Sequence, residues 1–275
     1  MAWELTDDLE SFMTVAEAHL RSRPVEHTVL LTLVETLRRR GLTAYGKEAP
    51  VFGAWRDHNG VVSGVLLQTP PHPVLFGEVP PSAVTDAVNA FGGRSLPGVN
   101  LPVPLVDLFV GPWVARTGAT PGVRMRTRLY RLSALESPSG STRPGESGDR
   151  ALLLGWVRDF LADIGESVED VEAVVDDALA DGVVTLGLAA GAPTSMVMRT
   201  LPSAGVVRIR YVFTPVALRG RGYAGAATAA ACAAALADGA SEVVLFTDLD
   251  NPTSNGLYQR LGFRPVQDRT VVTFG

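Results

Sequence analysis

Residues Arg219-Gly220-Arg221-Gly222-Tyr223-Ala224-Gly225 set three glycines and two arginines at the head of an alanine-rich run. Glycine lets an anion come close against backbone N–H groups. A helix that starts there adds unpaired N–H groups and the positive end of its dipole. The chemistry is that of a pyrophosphate cradle. Two frames fit the same letters. Gly220, Gly222 and Gly225 spell G-x-G-x-x-G, the turn of dinucleotide-binding folds, whereas the run from Arg219 spells R-x-x-G-x-A. A tight strand-to-helix turn with no ligand is the bland alternative. Downstream, Asn251-Pro252-Thr253-Ser254-Asn255 leads to Tyr258. A phenol with its ordinary pKa of about 10 can donate a proton at neutral pH.

The elements that would hold these residues are legible from periodicity. Gly205–Thr214 alternates as a strand running into the loop, and Gly222–Leu236 continues as a helix. Strand Glu242–Thr247, helix Pro252–Leu261 and a strand pair near Phe263–Val266 and Thr270–Phe274 follow. Upstream lie helices Asp149–Ile164 and Val168–Ala180, then strands Val183–Ala189 and Thr194–Thr200 around the turn Ala190-Gly191-Ala192-Pro193. The order α-α-β-β-β-α-β-α-β-β is a mixed α/β layer architecture. A dinucleotide fold wants its glycines directly after the first strand and an acid ending the second. Here Val216-Ala217-Leu218-Arg219 intervene, and Glu242 begins its strand. The dinucleotide frame fits poorly.

Tyr211–Ala224 (YVFTPVALRGRGYA) followed by Leu245–Phe263 (LFTDLDNPTSNGLYQRLGF) resembles the GCN5-related N-acetyltransferase (GNAT) superfamily, and bacterial members in particular. The resemblance covers Asp149–Gly275, with both motifs at the family's spacing. It implies a GNAT fold, a mixed and mostly antiparallel sheet flanked by helices, with acetyl-CoA as cosubstrate. The family's loop falls on Arg219, Gly220, Arg221, Gly222, Tyr223 and Ala224, which implies that the backbone amides of Gly220–Gly225 hold the coenzyme A pyrophosphate. Arg219 and Arg221 would add charge-assisted contacts to the 3′-phosphate or pyrophosphate, or stand as solvated surface arginines. Val212, Phe213 and Thr214 match the strand whose backbone binds the pantetheine arm, and the Val212 amide would polarise the thioester carbonyl. Asn251 matches the asparagine that contacts that arm or fixes the local backbone; an asparagine followed by proline also reads as a helix N-cap. Tyr258 matches the tyrosine that protonates the leaving thiolate; its bland reading is a core aromatic.

The strand segment Arg208-Ile209-Arg210-Tyr211 lacks the glutamate that some members use as a base. Water, Glu166, Glu169 or a residue of the first half would serve instead. Arg208 or Arg210 could face a substrate carboxylate, or form an outward row on an alternating strand. The expected activity is direct acetyl transfer to an amine, small molecule or peptide, in a ternary complex. The main rival is a non-catalytic acyl-CoA-binding or sensor protein, with a nucleotide-dependent oxidoreductase third.

Ser137–Gly148 (SPSGSTRPGESG) has no apolar residue except proline and reads as a connector between domains 1–136 and 149–275. In the first half, helical patterns at Thr6–Arg21, Val25–Arg39, Ser82–Phe91 and Pro104–Arg116 alternate with strand patterns at Val51–Arg56, Val61–Thr69, Val74–Phe76 and Arg124–Leu132. This makes an N-terminal α/β domain whose order faintly matches the second half, as in a degenerate GNAT-like repeat. Val79-Pro80-Pro81 stands where a second cradle would need free amides, so this half is expected to be non-catalytic, shaping the acceptor pocket or mediating association. The 275 residues are 46% hydrophobic and 19% charged with net charge −5, which gives no general reason to expect nucleic acid or anionic membrane as partner. The lone Cys232 permits neither an intrachain disulfide nor a cysteine metal cluster, and no metal site is expected. The opening MAWELTDDLESFM lacks a signal-peptide layout, and the longest uncharged run, Gly222–Ala237, is too short to span a bilayer. A cytoplasmic monomer or homodimer is expected.

Overall fold

Hydrophobic patterning dictates most of the elements in the computed structural model, which describes residues 1–166 and 170–275. The chain runs β1 (Ala2–Thr6), α1 (Leu9–Ser22), α2 (Thr28–Arg40), β2 (Val51–Arg56), β3 (Val62–Gln68), β4 (Val74–Phe76), α3 (Pro81–Ala90), β5 (Gly98–Pro102), α4 (Val106–Thr117) and β6 (Pro121–Leu132). It continues β7 (Ser141–Pro144), α5 (Arg150–Asp163), α6 (Val171–Ala180), β8 (Val184–Ala189), β9 (Ala192–Arg199), β10 (Val206–Phe213), α7 (Tyr223–Ala237), β11 (Glu242–Asp248), α8 (Pro252–Arg260) and β12 (Phe263–Phe274). The element order β-α-α-β-β-β-α-β-α-β therefore occurs twice.

Contacts divide the chain into two units. The first holds Met1–Leu129, Asp248–Asp250 and Val266–Gly275; the second holds Tyr130–Thr247 and Asn251–Pro265. By these bounds β6 and β12 each contribute residues to both units. In the first unit the strand order is β1-β2-β3-β4-β5-β12-β6, with β4 and β5 parallel and the pairs β1–β2, β2–β3, β3–β4 and β5–β12 antiparallel. Its core gathers Leu66, Phe76, Val84, Phe91, Phe109 and Trp113.

In the second unit the order from β7 is β7-β8-β9-β10-β11-β6. The pairs β7–β8, β8–β9 and β9–β10 are antiparallel, and β10–β11 is parallel. One cluster packs α7 and α8 against the sheet through Val207, Ile209, Ala227, Ala231 and Tyr258. Another packs α5 and α6 through Leu153, Trp156, Val157, Val175 and Phe213. Alanine is the strongest helix former, and its small side chain lets α7 bury residues on most of its circumference.

Three strands escape the periodicity. β1 and β5 are short, and β7 lies inside the segment expected as a connector. β7 pairs in register with β8 from Ser141↔Leu188 to Pro144↔Thr185, because backbone hydrogen bonding needs no apolar side chain. The expected final strand pair is one strand, β12. α6 begins at Val171 with Asp170 as N-cap, accepting from the Ala173 N–H at 2.8 Å. Val168, the expected start of that helix, and Glu169, a base candidate, lie outside the described residues.

Candidate functional site

β10 positions the candidate site through what it stops doing. It pairs in parallel with β11 from Val206↔Glu242 to Ile209↔Leu245, and no further. Arg210–Phe213 continue the strand beyond that pairing, so the two strands part and leave the β11 side of this segment open. On the other side, Arg210 pairs with Met198 and Phe213 with Met196, so Tyr211 and Val212 together oppose Val197. This is a β-bulge, and Tyr211 takes φ +50 to make it. A left-handed conformation at a tyrosine costs about 1–2 kcal/mol and persists only where the surroundings impose it. The bulge falls just where the strand leaves its neighbour.

From Thr214 a single 3-10 turn (Val216–Leu218) leads into the glycine loop. Arg219 is a brace: its Nε donates to the Thr214 carbonyl at 2.9 Å, and its guanidinium pairs with Asp163 of α5. Arg221 is exposed and makes no ion pair among the described residues. Gly220 (φ +77) and Gly222 (φ +83) adopt the left-handed region with open space where a Cβ would stand. Gly222 is the N-cap of α7, with no side chain capping that end. The first helical bond is Ala226 N–H to Gly222 C=O at 3.1 Å, which leaves the amides of Tyr223, Ala224 and Gly225 without intrahelical acceptors. A Cβ at Gly225 would meet Leu257 Cδ1 of α8 at 3.2 Å, so this glycine admits close packing of α8 on α7. Open amides, empty space over two glycines and a nearby exposed arginine fit a pyrophosphate.

α8 carries the second motif. Asn251 is its N-cap, Oδ1 accepting from the Ser254 N–H at 3.0 Å, with Pro252 next. Its side-chain oxygen is thus engaged in fixing the helix start. Asn255 and Gln259 meet a residue that motif reading missed. Tyr130 of β6, fully buried, donates from its hydroxyl to Asn255 Oδ1 at 2.9 Å and accepts from Gln259 Nε2 at 3.1 Å. Asn255 Nδ2 in turn donates to the Asn251 carbonyl at 2.8 Å. Asn255 stands inside the quoted motif, but nothing in β6 marks Tyr130.

Tyr258 lies on α8 in one cluster with Ile209, Leu245 and Cys232, against which Val212 packs. Phe263 meets its ring edge-on at 6.1 Å. Its hydroxyl has no hydrogen-bond partner among the described residues. Burial, and secondarily the nearby Cys232, pushes the phenol pKa up, which holds the proton on at neutral pH. The ring of Tyr258 is part of the core, and its phenol keeps its proton at neutral pH. The Cys232 thiol is buried and pushed up to about 12, so it behaves as a small apolar residue. Gly262, in the motif's G-F pair, has φ +95, and a Cβ there would stand 1.6 Å from the Ala134 carbonyl oxygen. A cavity of about 410 Å³ opens beside the loop, lined by Gly222, Gly225, Leu257, Arg260, Pro138 and Glu136. The structure thus brings together Val212, the Gly220–Gly225 loop, α8 and Tyr258. β10 carries no carboxylate.

Residues 152–263 match the sequence model of the Acetyltransferase (GNAT) family. No curated protein sequence matches the chain. A GNAT-family acetyltransferase from Colwellia psychrerythraea superposes with TM-score 0.65 at 10% identity, covering 100% of this chain and 99% of that one. A Drosophila protein gives 0.67 at 12%, covering 99% and 98%. A GCN5-related N-acetyltransferase from Sphaerobacter thermophilus gives 0.57 at 18%, covering 87% and 84%. At such identities the likeness is one of fold. It extends over the whole chain, so the N-terminal unit is GNAT-like as well.

Proposed function

We propose that the chain, whose residues 152–263 match the Acetyltransferase (GNAT) family, is an acetyl-CoA-dependent N-acetyltransferase acting by direct transfer in a ternary complex. One observation carries the reading: β10 leaves β11 after Ile209, bulges at Tyr211–Val212, and delivers the chain to a helix N-terminus with open amides.

When bound, acetyl-CoA supplies an acyl group activated as a thioester. The amides of Gly220–Gly225 hold the pyrophosphate, and Arg221 adds a charge-assisted contact. The backbone of Val212, Phe213 and Thr214 holds the pantetheine arm as an added strand, on the side that β11 leaves open. The Val212 N–H polarises the thioester carbonyl. In the transfer, the acceptor nitrogen forms the C–N bond as the C–S bond breaks. The proton lost by the amine goes to water, and Tyr258 protonates the departing thiolate and is re-protonated from solvent. The products are an amide and free coenzyme A. Asn251 keeps α8, and so Tyr258, in place.

Melting the protein with equal concentrations of acetyl-CoA, CoA and NAD tests the ligand. Acetyl-CoA and CoA should raise Tm, and stabilisation by NAD alone would overturn the reading. Thiol release over an amine panel tests the activity and separates an enzyme from a sensor. In that assay Tyr258→Phe should lower kcat by about 10²-fold, a common size for a lost general acid, with acetyl-CoA affinity within about twofold of the parent. Unchanged turnover would remove Tyr258 from its role.

A further inference from the structure

Arg210 is the first residue of β10 beyond the pairing with β11, at the mouth of the parted strands. Val207 and Ile209 face the cluster under α7, so alternation sends Arg210 to the opposite face, the one covered by α5. The bulge turns Tyr211 to the same side. The Arg210 guanidinium lies 4.5 Å from the Tyr211 ring centroid, and that ring meets Phe160 of α5 edge-on at 5.4 Å. The three side chains form a ledge with an aromatic floor and a cation at its rim.

Arg219 pairs with Asp163, Arg150 with Asp176 and Arg158 with Glu172. Arg210 is exposed, with no hydrogen bond or ion pair among the described residues and only the Tyr211 ring against it. A free amine is itself a cation at neutral pH. A strand that offers Arg210 and no carboxylate at the mouth of the parted strands repels a bare ammonium there. A carboxylate on the same molecule reverses the sign of that interaction, and the planar guanidinium fork fixes its orientation. A nearby cation also favours the uncharged, nucleophilic form of the amine, which answers in part for the missing base.

We propose that the acceptor is an amine that also bears a carboxylate, of the amino-acid class, with its carboxylate held by Arg210 over the Tyr211–Phe160 ledge. The proposal rests on the N-acetyltransferase reading and narrows it.

The test compares phenylalanine, phenylalaninamide and phenethylamine as acceptors in thiol release, with the parent protein, Arg210→Met and Arg210→Lys. With the parent, KM for phenylalanine should be lower than for the amide by roughly tenfold or more, the size of a charge-assisted contact. Arg210→Met should erase that preference with KM for acetyl-CoA unchanged, and Arg210→Lys should restore part of it. Preference for the amide or phenethylamine, or discrimination that survives in Arg210→Met, would overturn the proposal and leave the transferase reading standing. If acetyl-CoA binds but no amine releases thiol, the transferase reading fails. The acceptor site is then judged by melting the CoA-loaded protein with N-acetylphenylalanine or its amide. Stabilisation by the acid alone, lost in Arg210→Met, upholds it; equal or absent stabilisation sinks it.

Discussion

The crossing from β4 to α3 in the first unit and the crossing from β10 to α7 in the second occupy the same place in the repeated element order, and they differ in every feature that matters for a ligand. β10 runs four residues past its pairing with β11, bulges, and reaches α7 through a glycine loop. β4 is three residues long and pairs with β5 at Val74↔Val99 and Leu75↔Asn100. Its exit is tied down at once, with the Gly77 N–H donating to the Val65 carbonyl at 2.9 Å. α3 then starts with Pro80 as N-cap and Pro81 at its first position, two residues with no N–H to offer. The place where β4 and β5 could part is filled by Arg269 of β12, whose guanidinium donates to the Phe76 carbonyl at 2.6 Å and to the Asn100 carbonyl and Oδ1, both at 2.9 Å. One layout is thus sealed in the first unit and open in the second. The fold provides a place for a site, and the residues at one crossing decide whether it is used.

The largest effect expected in the sealed crossing comes from removing its plug. Arg269 is buried, and its Nη1 donates to Gln267 Oε1 at 2.9 Å, while Gln267 Nε2 donates to Glu78 Oε1 at 2.6 Å. Burial lowers the arginine pKa to about 10, which still leaves it charged at neutral pH. Arg269→Met should leave two carbonyls and two carboxamide oxygens without this donor and cost about 4 kcal/mol, as the loss of a buried charged partner does. Hydrogen exchange should rise at residues 74–78 and 99–101, with acetyl-CoA affinity unchanged. A loss below about 1 kcal/mol would show that the guanidinium is dispensable and the comparison mistaken.

A slightly smaller effect is expected from pH, and again from the first unit, which holds all four histidines. His27 is fully buried; its Nε2 accepts from the Glu78 N–H at 2.9 Å, so the proton is on Nδ1, which donates to the Leu20 carbonyl at 3.0 Å. The ring is neutral and has no lone pair left for a second proton. Burial holds its pKa down to about 4, helped by His19 and Arg269 and opposed by the Leu20 bond and Glu78. The unfolded chain therefore binds this proton more readily than the folded one, and stability rises with pH. The contribution is complete above the unfolded value near 6.5 and falls by about 3 kcal/mol as pH drops toward 4. Denaturant melts from pH 4 to 8 check it. Trp3, Trp55 and Trp113 report on this unit, and His27→Gln should flatten the slope between pH 6.5 and 4. An equal slope in the variant would remove His27 as its source.

The open crossing was legible in the sequence; of the sealed one only the prolines at Val79-Pro80-Pro81 were, and its plug was not, for a physical reason. A ligand cradle is local: glycines at φ near +80, a helix start and the flanking strand are consecutive residues, so spacing carries them. A plug is assembled from afar. Arg269 and Gln267 sit in Val266-Gln267-Asp268-Arg269, a polar run that reads as a turn and splits β12 in two, because nothing nearby says that Asn100, Phe76 and Arg128 will receive these side chains. β7 fails for the opposite reason. Ser141–Pro144 has no apolar residue and is held by backbone pairing to β8 and by Arg143 on Asp149 at 2.6 Å. β1 goes unread, and the helical pattern expected from Thr6 takes in only its last residue, although Trp3 Nε1 donates to the Ala83 carbonyl at 2.7 Å and Asp8 caps the true helix start. Tyr258 was legible as part of a motif, while the residue that steadies its helix was not.

That residue offers the smallest of the expected effects, and it sharpens the comparison most narrowly. In the second unit, α8 is tied to β6 by the Tyr130 hydroxyl, which bridges Asn255 and Gln259 on either side of Tyr258. In the first unit the equivalent helix, α4, meets the sheet through rings, Phe109 against Phe76 at 5.8 Å and Phe274 at 6.4 Å, and its polar tie to α3, Arg116 donating to Asn89 Oδ1 at 3.2 Å, is exposed. If hydrogen bonding serves orientation where chemistry is done and packing suffices elsewhere, Tyr130→Phe should do little to the fold and more to the reaction. Losing the hydroxyl leaves Asn255 Oδ1 without that donor and should cost about 1 kcal/mol of stability. It should lower kcat several-fold with KM for acetyl-CoA unchanged, because α8 loses its alignment while the glycine loop does not. A fall in Tm with kcat unchanged would make Tyr130 a structural residue only, and the polar tie would carry no distinction between the two helices.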